Sequence, residues 1–328
     1  MNQVTIIVVP RERFSYTQPS LESVYQNTGM PFNLVYVDGN SPPHIGRYLE
    51  AQTQQRGFQL VRSKQYLSPN RARNLGLAQV NFQETQYVAI IDNDVLVRPG
   101  WLESLVQCAE TTDAGAVGPL YLEGSDFQTV HMAGGTSVFR EQGDRRWLVE
   151  KRPFMRLPLA KVADKLQRHQ TDILELHCIL VRAEVMAQIG SFDERMVNIG
   201  EESDFSMTLR AAGHSIYFEP SAVVSYVPPP PLAPSDLPFF FVRWSQQWCQ
   251  QSVAHFQEKW NLTENSPTLH HYREFVDRHR YLVFTQPQKG KGAGYLTKKA
   301  TYFVFDKLTN RYASRLHPPK IEGLEARP

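Results

Sequence analysis

The string Asp92-Asn93-Asp94 follows the apolar run Tyr87–Ile91 without a break. A strand end fixes two carboxylates while leaving them near solvent. Hard divalent cations take oxygen ligands and often bridge to substrate phosphates. One carboxylate of such a pair can hold a metal ion and the other a sugar hydroxyl. Asp38 closes a second apolar run, in VYVDGNS, and Glu201, Glu202 and Asp204 open the segment GEESDFSMTLRAA. A helix N-terminus favours ionised carboxylates through its dipole. Three acids packed together repel, which raises the proton affinity of at least one. A carboxylate so placed can take a proton from a hydroxyl nucleophile. The plainer readings are a strand end with two solvated acids and a helix start with complementary charge.

These residues need a scaffold, and the first 125 residues alternate strand and helix signals. Val4–Val9 is a continuous β-branched run, as expected for a strand buried on both faces. A helix is predicted from Ser20, with Ser20 as N-cap. Further strands are predicted at Asn33–Val37, Phe58–Val61 and Tyr87–Ile91, with helices at Asn70–Leu77 and Trp101–Ala109. This alternation implies an α/β fold with a mostly parallel sheet, where ligands bind beyond the carboxyl ends of the strands. Three polar clusters sit at such ends: Pro10-Arg11, Asp38 to Ser41, and Asp92 to Asp94. Later, Phe139–Lys151 is charged and reads as a loop. Ile173–Val181 and Ser221–Val227 read as strands, and Ala183–Ile189 and Gly200–Ala212 as helices.

Pro228–Pro231 is a stiff polyproline segment, taken as the boundary between a catalytic body (1–227) and a C-terminal helical extension (228–328). Leu237–Trp260 reads as one helix with Asp236 as N-cap. Its aromatic stripe, Phe240, Trp244, Trp248, Phe256 and Trp260, suits packing on the body or a membrane interface. Gly290 to Gly294 is a flexible break, and Thr297–Asn310 one more helix.

The chain has 328 residues and a formal charge of +2, with 41% hydrophobic and 21% charged residues. This is globular composition, and it excludes an extended polyanion-binding surface covering the whole molecule. No apolar run approaches the ~18 residues that cross a bilayer, and no signal-peptide pattern opens the chain. Three scattered cysteines, Cys108, Cys178 and Cys249, argue against a disulfide framework or a cysteine-based zinc site. The expected location is therefore cytoplasmic. From Phe241 onward there are 14 Lys plus Arg against 7 Asp plus Glu. That basic C-terminal part is either a solvated face or a peripheral contact with an anionic membrane.

Taken in order, VYVDGNS, SPNRARNLGL, IIDNDV, ILVRAEVMAQIGSFDER and GEESDFSMTLRAAGH resemble the family-2 glycosyltransferases, which have the GT-A fold. The resemblance runs from about Val4 to Val227, and its specificity lies in five motifs in order. It implies transfer of a sugar from a nucleoside-diphosphate sugar to a glycan or glycoconjugate acceptor, assisted by Mn2+ or Mg2+, with inversion and no nucleic-acid partner. Asp38 matches the acid that contacts the nucleobase, and Pro10 lies where the backbone touches the nucleoside. Asn70, Arg73 and Asn74 belong to the helix that closes over the nucleotide. Asp92 is implied near the ribose with Asn93 beside it, and Asp94 on the metal. Glu202 is the implied base, with Glu201 and Asp204 as neighbouring acids able to take the role. Asp38 and Arg73 are expected to serve donor binding rather than folding.

Two departures stand out. The base position carries Glu where the family usually has Asp. The segment AVVSYVPPPP has Ser225 and Tyr226 where many members have a metal-binding His. His177 lies on the expected acceptor side, where a lone His is also an ordinary structural residue. Two rival readings are a haloacid-dehalogenase-type phosphatase using Asp92 as nucleophile and Asp94 as acid–base, and a relative that binds nucleotide or glycan without turnover.

Overall fold

The computed structural model describes residues 3–228, 231–282 and 304–312. The apolar run that opens the chain is β1 (Val4–Val9), buried at every position. Next come α1 (Thr17–Asn27), β2 (Phe32–Gly39), α2 (Pro43–Arg56), β3 (Gln59–Ser63), α3 (Pro69–Leu77) and β4 (Tyr87–Asp92). The four strands are parallel, in the order β3-β2-β1-β4. Val4 lies level with both Phe32 and Tyr87, so the strand ends carrying Pro10, Asp38 and Asp92 share one edge. α1 begins three residues earlier than expected, after a short 3-10 turn at Phe14–Tyr16. Pro19 therefore falls in the first turn, where no N–H is required of it, and Ser20 is a buried helix residue rather than the cap.

β5 (Val95–Val97) and α4 (Trp101–Thr112) lead into β6 (Ala116–Glu123) and β7 (Thr129–Met132). The charged stretch expected as a loop is instead a hairpin, β8 (Thr136–Gln142) with β9 (Arg145–Lys151). Gly143 at φ 56° opens its two-residue turn. The charges cluster in adjacent pairs at the strand ends, mostly exposed, while Leu148 turns inward and is buried. β10 (His169–Thr171), β11 (Cys178–Arg182), α5 (Ala183–Ile189), α6 (Glu201–Ala211) and β12 (Ile216–Tyr226) complete the body. β11 is shorter than expected, because residues 172–177 leave the sheet. Tyr121 Oη lies 2.8 and 2.7 Å from the carbonyls of Glu175 and Cys178, pinning that bend. The sheet continues β4-β11-β6-β12-β10, with β5 beside β12 and β7 beside β6. Six strands (β1 to β4, β6 and β12) run one way and β5, β7, β10 and β11 the other, so the sheet is mixed and mostly parallel, as expected.

The predicted helix over 237–260 is two helices, α7 (Leu237–Arg243) and α8 (Gln246–Lys259). Ser245 breaks the run, and its hydroxyl accepts the Trp248 N–H at 3.4 Å as an N-cap. Asp236 precedes α7 but spends its carboxylate on Ser15 N, 3.0 Å away. With α9 (Pro267–Leu282) these helices pack on the hairpin and on α6 through Leu148, Met196, Met207, Phe240, Trp244, Phe256 and Tyr272. Phe240, Trp244, Trp248 and Phe256 of the aromatic stripe are buried, so that stripe faces protein. Residues 304–312 are helical; 297–303, the glycine-rich segment 290–294 and Pro229-Pro230 lie outside the described residues. Among the described residues no helix is long and apolar enough to cross a membrane.

Candidate active site

Parallel strands deliver the acids to one place. Asp38 is buried at the end of β2 and accepts from Ser41 N at 2.9 Å and Arg62 Nε at 3.0 Å. Gly39 is required beside it, because a Cβ there would lie 2.7 Å from the Pro10 ring. Asn93 ties down the loop after β1. It accepts from Arg11 N at 2.9 Å and donates to Arg13 O and Thr17 Oγ1 at 3.3 and 3.2 Å.

The two aspartates of the motif have opposite surroundings. Asp92 faces Arg11 at 3.2 Å, His177 Nδ1 at 3.0 Å and Arg73 at 3.7 Å. Burial works against its charge, but Arg11, the His177 hydrogen bond and Arg73 prevail and hold it below the ordinary carboxylate value. Asp94 has no exposure, and neither of its oxygens has a hydrogen-bond partner. Burial, then the charges of Asp92 and Glu12, push its carboxyl well above the ordinary value. An isolated buried carboxylate is costly, so two orphaned oxygens are what a cation-binding group would present.

Arg73, on α3, is fully buried. It donates to Asn70 Oδ1 at 2.7 Å and to Leu176 O at 3.4 Å. Asn70 donates to Asp193 O at 2.8 Å. Asn74 donates to Phe192 O at 2.9 Å and accepts from Phe192 N at 2.8 Å. The helix of the Arg-Asn motif is thus latched to the chain segment leading into α6. Arg73 is thus buried and hydrogen-bonded within the fold as well as being a neighbour of Asp92.

Gly200, at φ 80°, starts α6; a Cβ there would lie 2.9 Å from the Tyr272 ring. Of the three acids that follow, Glu202 turns about 100° away from Glu201, while Glu201 and Asp204, three apart on the helix, take different partners. Glu201 is buried against Arg243 at 3.4 Å. Asp204 is held by Lys259 Nζ and Trp260 Nε1, both at 2.8 Å, at the end of α8. Glu202 keeps 14% of its side-chain exposure and meets Arg152 at 3.1 Å. Burial, with repulsion from Glu175 and Glu201, raises its pKa from 4.5 to about 7, against the pull of Arg152. Of the three, Glu202 combines partial exposure with a pKa suited to proton transfer near neutrality.

The profile of the family described as Glycosyl transferase family 2 matches residues 5–189. The chain belongs to that family. It is 27% identical over 224 residues to the O-antigen biosynthesis protein RfbC of Myxococcus xanthus, covering 64% of this chain and 16% of that one. It is 29% identical over 161 residues to the pre-mycofactocin glycosyltransferase of Mycobacterium tuberculosis, covering 48% of this chain and 30% of that one. The chain therefore spans less than a third of the length of these relatives. In fold it is similar to GalNAc-T7, solved with UDP, GalNAc and Mn2+, at a TM-score of 0.53 and 16% identity, over 93% of this chain and 58% of that one. It is also similar to the mannosyltransferase PcManGT of Pyrobaculum calidifontis, solved with GDP-Man and Mn2+. There the TM-score is 0.52 and the identity 15%, over 96% of this chain and 86% of that one. These likenesses agree with the GT-A fold expected from the sequence.

The family motifs account for part of this site only. Arg11 was visible as a charge at a strand end. Glu12 carried no signal: it is fully buried, meets His279 at 3.1 Å and accepts from Tyr226 Oη and Trp244 Nε1. It thus ties the β1 loop to the C-terminal helices. Arg152, Glu175 and Arg243 come from three separate elements and were equally silent. Ser225 and Tyr226, in place of the metal-binding His, turn to other partners. Ser225 Oγ reaches Gly124 O, and the Tyr226 ring stacks on His177 at 4.2 Å.

Proposed function

We propose that this protein transfers a sugar from a nucleoside-diphosphate sugar to an acceptor hydroxyl, with inversion, using Glu202 as general base and a divalent ion held by Asp94. The observation that carries this reading is Asp94: a buried carboxylate with both oxygens unpartnered, at the carboxyl end of β4 in a family-2 glycosyltransferase. Mn2+ or Mg2+ at Asp94 would offset the negative charge that grows on the departing diphosphate. The protein's own groups supply the rest. Arg11, His177 and Arg73 keep Asp92 ionised and oriented to accept hydrogen bonds from sugar hydroxyls. Asp38 and the Pro10 backbone form the nucleoside side of the cleft.

Glu202 takes the acceptor proton as the new bond forms. Arg152 and the start of α6 orient it, and its charge neighbours keep its proton affinity near neutrality. Asp204 is the weaker candidate because Lys259 and Trp260 already occupy its oxygens. The phosphatase reading gives way to the family match. The poised Glu202 favours turnover over a purely binding relative. A donor screen tests the proposal: UDP- and GDP-sugars with Mn2+, monitored for nucleoside-diphosphate release with and without glycan acceptors. Release with at least one donor is expected, and silence across both nucleotide classes would refute it.

A further inference from the structure

We propose that His131, Glu175 and His177 form a binding site for a borderline divalent transition ion such as Zn2+, separate from Asp94. The ligand atoms of these three residues all lie within 4.8 Å of one another. His131 Nε2 is 3.4 Å from Glu175 Oε2, and His177 Nε2 is 4.0 Å from Glu175 Oε1. In a tetrahedral site with bonds of about 2.1 Å, ligand atoms stand about 3.4 Å apart. The His131 pair already has that spacing; the His177 distance is to the other Glu175 oxygen, so a small turn of the carboxylate or of the His177 ring brings the three donors onto one ion.

The far side of each ring is also built. His131 Nδ1 lies 3.0 Å from Glu123 Oε1, and His177 Nδ1 lies 3.0 Å from Asp92 Oδ2. A carboxylate behind each imidazole fixes its tautomer and turns Nε2 inward, the usual support for a metal-ligating histidine. Tyr226 stacks on His177, and the two histidine rings meet edge-on at 5.3 Å. The backbone is held as well: β7 pairs with β6, whose Tyr121 pins the carbonyls of Glu175 and Cys178.

An ion pair alone accounts for less. A protonated His131 between Glu123 and Glu175 explains one ring. It does not explain His177 Nε2 facing Glu175 beyond hydrogen-bond range. Arg152 lies 3.4 Å from Glu175 Oε2 and Leu176 N 3.2 Å from Oε1, so each oxygen accepts one hydrogen bond and keeps a lone pair for the ion. Two imidazoles and one carboxylate favour Zn2+ or Co2+ over Mg2+. Glu175 and His177 are buried while His131 is partly exposed, which gives the ion a route in and leaves the outer position for water or a substrate oxygen. The inference does not depend on the sugar-transfer reading.

The test is Co2+ titration of the full chain without nucleotide, followed by visible absorption and paramagnetic proton NMR. One Co2+ per chain and two strongly shifted exchangeable imidazole N–H signals are expected in the wild type. Asp94→Asn should keep both, His131→Gln should lose them, and Glu123→Gln should weaken binding by about 10–100-fold. No Co2+ uptake, or uptake without shifted imidazole signals, would overturn the proposal. So would binding lost in Asp94→Asn but kept in His131→Gln. Should His131→Gln fail to fold, the wild-type imidazole signals decide alone.

Discussion

Replacing Glu202 by Gln keeps the side-chain shape and removes the charge. Burial and the charges of Glu175 and Glu201 push the Glu202 pKa up from 4.5 to about 7, which has two consequences. For catalysis, the base form fills only above about pH 7, so wild-type turnover should fall tenfold per pH unit below it. Glu202→Gln should lose about 10²–10⁴ in kcat while nucleotide affinity stays near wild type. For stability, the sign runs the other way. Between pH 4.5 and about 7 the native state holds a proton that the unfolded chain has released, so wild-type stability declines as pH rises through this window. The full difference corresponds to about 3 kcal/mol, and the remaining 14% exposure trims it to about 2–3 kcal/mol. Glu202→Gln abolishes that slope, and Arg152 keeps Glu175 at 3.4 Å as a partner. Urea unfolding and kcat, each measured from about pH 5 to pH 8, give both readouts. Near-normal turnover in Glu202→Gln, together with an unchanged pH dependence of stability, would refute the reasoning.

Three further outcomes follow from buried groups. Arg243→Met should cost about 3–5 kcal/mol in denaturant unfolding by stranding Glu201, and adding Glu201→Gln should recover much of it. Trp244→Ala should cost about 3–5 kcal/mol, since the ring is fully packed and meets Glu12; a change near zero would return the stripe to the surface. Arg73→Ala should lose about 3 kcal/mol or more along with nucleotide affinity, by releasing Asn70 and Asp92 together. Weakened binding at unchanged stability would restore it to a pure donor contact.

The N-terminal half was legible because its signals are local. Apolar β-branched runs ending in Asp38 and Asp92 mark parallel strands, and parallel register alone brings those ends together. The hairpin at 136–151 was not legible: its exposed face is charged, and its buried face packs on helices more than a hundred residues away. Ser245 split a continuous helical pattern through one cap, an event that periodicity does not register. Within the site, the sequence named the acids but not their partners. Arg11, Arg152, Glu175 and Arg243 gain their meaning only from long-range packing. That packing raises Glu202 toward neutrality and ties up Asp204, so it distinguishes acids that the sequence could only place side by side.

The central claim is that Asp94 holds a divalent ion that helps bind a nucleoside diphosphate. Calorimetry with UDP and GDP, with and without Mn2+, on wild type and Asp94→Asn tests it most directly. Wild type should bind one of the two nucleotides with Mn2+-dependent affinity. Asp94→Asn should lose that dependence while remaining at least as stable, because the substitution removes an unpartnered buried carboxyl. Unchanged Mn2+-dependent binding in Asp94→Asn would contradict the account.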